Sequence, residues 1–103
     1  MYRRTLSVLA TLFVLSPCAQ ASEALAQQAG CAVCHAAAEK RIGPSWQDIA
    51  ARYKGDAAAP ALLVTRVREG TKGNWGEMPM MATPPERASD EQVQALVDWV
   101  LTH

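Results

Sequence analysis

Two cysteines three positions apart, followed at once by a histidine, constrain this chain more than any other feature. Cys31 and Cys34 enclose two small apolar residues, and His35 follows directly. On a turn of helix, this gap brings two thiols and an imidazole close together. Such a set can form a disulfide, bind a metal or attach a haem, and each alternative makes a different demand on the rest of the chain.

The first 21 residues have the pattern of a secretory signal peptide. Two arginines near the start precede an apolar run at 6–15, and a small-x-small sequence ends the segment at 19–21. The apolar run is shorter than the roughly 20 residues that a membrane-spanning helix needs. We therefore expect cleavage before Ser22, export to the periplasm, no stable membrane insertion, and a mature domain of residues 22–103.

Cys18 raises the alternative that the exported protein is anchored to a membrane through a lipid. The residues before it faintly resemble the box that precedes a lipidated cysteine in bacterial lipoproteins, but that box has a small residue where Pro17 stands. A soluble product is therefore expected rather than one anchored through lipid at Cys18.

The predicted mature chain is short and nearly neutral. It has 82 residues, in which eight Lys and Arg face ten Asp and Glu. Nucleic-acid binding would call for a concentrated basic surface, which this composition does not supply. A domain of this size has a thin hydrophobic core and commonly needs a disulfide, metal or cofactor to complete it.

Each alternative to haem attachment needs a structural element or ligand that the sequence does not supply. A thioredoxin-like redox site would use the Cys31–Cys34 spacing, but its fold needs strands alternating with helices, and no convincing strand is present. A zinc site needs about four ligands, and only His103 joins Cys31, Cys34 and His35 in the mature chain. Covalent haem attachment fits best, because two thiols at this spacing can add to the two vinyl groups and the next histidine can bind the iron.

The remaining sequence predicts four helices joined by loops rich in glycine and proline. Apolar residues recur at helical spacing in each segment, and the last segment begins with a capping box at Ser89–Gln92. The last helix is expected to pack against the first. The predicted helices run from Ser22 into the cysteine motif, from Trp46 to Gly55, from Pro60 to Gly70, and from Ser89 to Leu101.

A loop at 71–85, between the third and fourth predicted helices, holds Met78, Met80 and Met81. Methionine usually fills a hydrophobic core. In a haem protein, however, a thioether is a soft ligand that suits iron. The glycines and prolines of this loop exclude regular structure over most of its length and stiffen it.

These motifs together resemble those of class I cytochromes c, specifically the short bacterial monohaem cytochromes of the c-551/c-552 group. The resemblance runs from the first predicted helix to the last, and implies an all-α fold of about four helices around one covalently bound haem c. The matching sequences are Gly30-Cys31-x-x-Cys34-His35, Ile42-Gly43-Pro44, Arg66, Gly73-x-Trp75-Gly76, Met78-Pro79-Met80 and Trp99-Val100-Leu101.

The resemblance assigns a role to each site residue. It makes His35 the proximal iron ligand and Met80 the distal one. The carbonyl of Pro44 is implied to accept the second ring N–H of His35, a contact that orients a ligating imidazole. Arg66 and the indole N–H of Trp75 are implied to donate hydrogen bonds to a haem propionate.

The loop also departs from the family pattern. The family usually follows the ligand methionine with two prolines and an asparagine that helps to hold the ligand. Here the segment 81–83 (Met-Ala-Thr) comes next, and Pro84-Pro85 appears three residues late. Met81 therefore stays open as an alternative ligand, and Met78 is a weaker third choice.

A haem with histidine on one side and methionine on the other has no open iron position. The resemblance therefore implies a monomeric single-electron carrier, not an enzyme, that serves respiratory or denitrification partners. Transient docking of redox proteins is expected at the haem edge, beside Ala32, Val33 and residues 36–38. The alternative function is a haem sensor or peroxidase-like enzyme whose distal methionine leaves easily.

Overall fold

The computed structural model describes residues 10–12 and 22–103 of the chain. Apart from 10–12, the predicted signal peptide, including Cys18, lies outside the described residues. Helices are the regular structure of the described part: α1 (Glu23–Gln28), a 3-10 turn (Cys31–Val33), α2 (Trp46–Arg52), α3 (Ala59–Glu69) and α4 (Asp90–Val100). The predicted all-α fold with four helices is confirmed. None of these described helices is long and apolar enough to cross a membrane.

Serine side chains begin three of the four helices. The Ser22 hydroxyl accepts a hydrogen bond from the Leu25 amide at 3.3 Å, and Ser45 does the same for Asp48 at 3.1 Å. At α4 the predicted capping box is confirmed, because Ser89 and Gln92 each accept from the other's backbone N–H. Each cap satisfies amide groups that the first turn of a helix leaves without partners.

The prediction that the first helix continues into the cysteine motif is wrong. α1 ends at Gln28, and Gly30 then takes a φ of +84°, a left-handed conformation that glycine adopts without strain. This reversal starts the separate 3-10 turn that carries Cys31. The cysteine motif therefore leaves the axis of α1 and turns toward the interior.

α4 organises the packing of the described domain. It packs against α1, as predicted, and also against α2 and α3. Its buried side chains Val93 and Leu96 form one cluster with Trp46 of α2, whose ring lies 4.6 Å from that of Trp99 in an edge-to-face arrangement. Edge-to-face pairs of this kind add stabilisation beyond the area they bury.

The protein core is built largely from small side chains. Alanines dominate the buried residues, and the largest side chains that are fully buried are Val93 and Ser45. Such a core removes little apolar surface from water for a chain of this length. The helices instead surround a cavity, which is where the predicted site residues meet.

Candidate haem site

The cavity has a volume of about 420 Å³ and is lined by the cysteine motif, α1, α2, α3, α4 and the loop at 71–85, which we call the methionine loop. This volume falls in the usual range for cofactor sites. The structure brings every sequence-predicted site residue to its wall. These residues are Cys31, Cys34, His35, Pro44, Arg66, Trp75, Met80 and the alternative Met81.

His35 is held in one orientation by the segment that follows the cysteine motif. Its Nδ1 lies 2.7 Å from the carbonyl oxygen of Pro44. Because a carbonyl oxygen only accepts hydrogen bonds, Nδ1 carries the proton and donates it. In the neutral ring this proton on Nδ1 puts the lone pair on Nε2, the form in which histidine binds a metal.

Gly43 allows this close contact. A Cβ built on Gly43 would lie 2.6 Å from Cε1 and 2.9 Å from Nδ1 of His35. Its amide also donates to the Cys34 carbonyl at 2.8 Å, which folds the chain back onto the motif. Any larger residue at this position would push the imidazole out of place.

Cys31 and Cys34 stand at the same wall and are not joined in a disulfide. Burial raises the pKa of the Cys31 thiol, while the nearby guanidinium of Arg87 acts in the opposite direction.

The methionine loop closes the opposite side of the cavity. Thr71 and Met80 exchange both backbone hydrogen bonds, at 2.8 and 3.0 Å, and so fix the base of the loop. Gly70 makes this possible, because a Cβ there would lie 2.7 Å from the Met80 carbonyl oxygen and 2.9 Å from the Ala82 amide. Its φ of +79° with a ψ of 170° is a conformation that favours glycine.

The three methionines of the loop differ in how far their side chains are exposed. Met80 is half-buried, whereas Met78 and Met81 are 63% and 77% exposed. All three contribute to the cavity wall, but Met80 alone among them has its backbone paired with another segment. Met80 is therefore the methionine whose backbone position is fixed.

The segment that departs from the family pattern is tied to the end of α3. Thr83 is buried and lines the cavity, and its amide donates to the Val67 carbonyl at 2.9 Å. Arg68 donates to the carbonyls of Thr83 and Ala88 at 3.0 and 2.8 Å and pairs with Asp90 at 2.6 Å. These contacts hold the chain between the methionine loop and α4.

Two arginines, a tyrosine and a tryptophan cluster beside the cavity, and two of them, Arg66 and Trp75, line it. Arg66 donates to the Tyr53 hydroxyl at 2.6 Å. Arg52 lies with its guanidinium carbon 4.3 Å from the centre of the Trp75 ring and donates to the Asn74 carbonyl at 2.6 Å. Four residues with these contacts were not predicted from the sequence, because charged or hydroxyl side chains at helix ends and in loops are most often solvated: Arg52, Tyr53, Arg68 and Thr83.

Comparison with known proteins places these features in a family. The sequence profile of the family described as cytochrome c matches residues 19–103. Cytochrome c2 of Rubrivivax gelatinosus is 53% identical over 77 residues, covering 75% of this chain and 91% of that protein. Cytochrome c-551 of Pseudomonas aeruginosa is 42% identical over 99 residues, covering 94% and 92%. Wild-type cytochrome c552 of Nitrosomonas europaea has a crystal structure that matches with a TM-score of 0.72 and 37% identity, covering 79% of this chain and 98% of that one.

The chain belongs to the cytochrome c family and is a class I monohaem cytochrome c. Its cofactor is one covalently bound haem c with iron, and it is a small electron carrier. The residues present fit this group. One wall of the cavity has two thiols and an oriented imidazole, and another has Met80, whose backbone is fixed. The small side chains of the protein core leave this space for the haem.

Proposed function

We propose that this cytochrome is an exported single-electron carrier of the periplasm whose iron is bound by His35 on one side and Met80 on the other. The observation that carries the proposal is the placement of Met80. It lines the cavity half-buried, and its backbone is fixed by Thr71. With haem bound, the site supplies a one-electron redox centre whose potential is raised by methionine ligation.

The protein's own residues keep this centre closed. The Pro44 carbonyl orients the His35 imidazole through Nδ1, and a hydrogen-bonded ligand of this kind is a stronger donor. The Thr71–Met80 pair holds the distal side against the end of α3. A site with a fixed ligand on each side undergoes little rearrangement when the electron arrives or leaves, which suits rapid transfer.

Arg66 and Trp75 line the cavity where they can bind the carboxylates of the haem. The Arg66 guanidinium has donors left after its bond to Tyr53, since it carries five N–H groups. The indole of Trp75 needs an acceptor when it is buried by the cofactor. We assign both residues to propionate binding.

Redox partners would dock transiently at an apolar patch beside the mouth of the cavity. The patch comprises Val33, Ile42, Met78 and Met81, all exposed, and three of these four also line the cavity. Ala32 beside Val33 is half-buried. Small apolar contacts of this type suit short-lived complexes between monomeric carriers and their partners.

The docking surface is tested by Val33→Asp, because Val33 is 71% exposed and outside the cavity wall. A carboxylate there places an unpaired charge in an apolar contact, so electron exchange with partner proteins slows while the visible spectrum is unchanged. Ala61→Asp serves as the control, because Ala61 is exposed on α3 and lies outside both the cavity wall and the expected docking surface. Equal rates for both variants and the wild type would refute docking at this patch.

Export is supported by the leader pattern and by Ser22, which begins the first helix of the domain. We expect the periplasmic protein to start at Ser22 when its intact mass is measured. A mass that includes a lipid on Cys18 would place the protein on a membrane surface instead.

A carrier differs from a haem sensor or peroxidase-like enzyme in how firmly the methionine holds the iron. We expect the oxidised protein to show a methionine–iron charge-transfer band that persists when cyanide is added at low concentration, and the reduced protein to bind carbon monoxide slowly. An absent band with fast binding of either ligand would favour the sensor or enzyme.

A further inference from the structure

We infer that Arg52 is a positioning residue that latches the tip of the methionine loop to α2 and so strengthens the hold of Met80 on the iron. This inference rests on the proposed ligation by Met80. Arg52 does not itself line the cavity and contacts none of the predicted iron ligands; it contacts Asn74 and Trp75, which do line the cavity. Its effect is therefore exerted through the loop.

The tip of the loop, residues 73–76, has few contacts of its own. Gly73 and Gly76 have φ values of +82° and +105°, and a Cβ built on either would meet nothing within 4 Å. Within the loop, the side-chain amide of Asn74 donates to the Thr71 hydroxyl. The base is fixed by Thr71 and Met80, so the tip depends on contacts from outside the loop.

Arg52 supplies two such contacts from the last residue of α2. Its Nη1 donates to the Asn74 carbonyl at 2.6 Å, and its guanidinium lies over the Trp75 ring at 4.3 Å from the ring centre. A charge-assisted hydrogen bond and a cation–π contact hold one side chain against two successive residues. Among the described residues, this is the side-chain link between α2 and the loop tip.

The latch joins the two walls that must stay together for the cavity to remain closed. α2 carries Trp46 and Ile49 on the cavity wall, and the loop carries Trp75 and Met80. Release of the tip would free Trp75 to leave the wall and would leave Met80 tied only at the base of the loop. Dissociation of the methionine from the iron then meets less resistance.

The test lets imidazole compete with Met80 for the iron of the oxidised holoprotein. Binding of imidazole is measured by the loss of the methionine–iron charge-transfer band. Arg52→Met should raise the apparent affinity for imidazole roughly three- to tenfold, the effect of losing an exposed cation–π contact and one hydrogen bond. Arg52→Lys keeps the charge but loses the planar guanidinium, so its affinity should lie between those of wild type and Arg52→Met.

Arg41→Met is the matched control. Arg41 is also exposed and donates to a backbone carbonyl, that of Ala32, at 2.9 Å, but it lies on the side of the cysteine motif. Both substitutions remove one positive charge, so a general charge effect would move both variants together. We expect imidazole affinity of Arg41→Met to equal that of wild type.

Met80→Ala separates failure of this inference from failure of the proposed ligation. If the band survives in Met80→Ala, the ligand assignment is wrong, and the latch with it. If Met80→Ala loses the band while Arg52→Met binds imidazole like Arg41→Met, only the latch is refuted. A rise confined to the Arg52 variants, with unchanged global unfolding midpoints, supports the inference.

Discussion

The two sides of the haem cavity are built by different means. On the proximal side, residues 30–44 fold back on themselves, and the contacts that orient His35 come from Gly43 and Pro44, within nine positions of it. On the distal side, the loop that carries Met80 is held by residues far away in sequence. Arg52 reaches Asn74 across 22 positions, and Arg68 reaches Thr83 and Ala88 across 15 and 20.

This difference has a thermodynamic consequence. A local segment can keep its geometry when the rest of the domain loosens, because few long-range contacts define it. A loop fixed by long-range contacts opens whenever those contacts break, at less free energy than global unfolding. We expect the distal side to open first and the proximal side to fail only with the whole domain.

The largest effect is expected from removing both thiols. Cys31→Ser with Cys34→Ser prevents covalent attachment, and the core of alanines cannot replace the buried surface of the haem. The free energy of unfolding should fall by more than about 4 kcal/mol, enough to unfold a marginally stable domain. Circular dichroism would show loss of helix. The control variant, Ala37→Ser with Ala38→Ser at two exposed positions, should stay folded and keep its visible haem absorption.

A smaller but still large effect is expected on the distal side from Gly70→Ala. The new Cβ would collide with the Met80 carbonyl and the Ala82 amide, in a backbone conformation that disfavours alanine. Strain and crowding together should lower the free energy of unfolding by about 2–5 kcal/mol. The charge-transfer band should weaken as well, since Met80 is displaced.

Gly55→Ala is the control for backbone strain alone. Gly55 has a similar φ of +77°, but its Cβ would meet nothing within 4 Å. The midpoint of thermal unfolding should fall less than in Gly70→Ala, and the band should be intact. Equal losses in both variants would mean that the collision with the methionine loop is unimportant.

The smallest of the three effects is expected on the proximal side from Gly43→Ala. Its backbone is ordinary, so only the collision with the His35 ring counts, at a cost of about 1–3 kcal/mol. Denaturant unfolding would measure this cost. A larger loss from Gly43→Ala than from Gly70→Ala would contradict this order, because Gly70→Ala combines a collision with backbone strain whereas Gly43→Ala has the collision alone.

The same contrast explains what the sequence could predict. The cysteine motif and the caps at Ser22 and Ser89 act over three or four residues, so their spacing alone predicts the geometry that the structure has. The 3-10 turn was missed because Gly30 can either end a helix or lie within one, and its φ is decided by the packing of Cys31 against the core.

The distal contacts could not be predicted in the same way. Arg52 and Arg68 each lie in the last turn of a helix, where an arginine is favoured by the helix dipole whether or not it contacts anything else. Their partners Asn74 and Thr83 lie in a loop without periodicity. Only the folded arrangement of α2, α3 and the loop brings these groups together.

Ligation of the iron by Met80 is tested most directly by visible spectra of the oxidised wild type, Met80→Ala and Met81→Ala. We predict the methionine–iron charge-transfer band in the wild type and in Met81→Ala, and its loss in Met80→Ala. Loss of the band in Met81→Ala with its survival in Met80→Ala would contradict the assignment of the half-buried, backbone-paired methionine as the iron ligand.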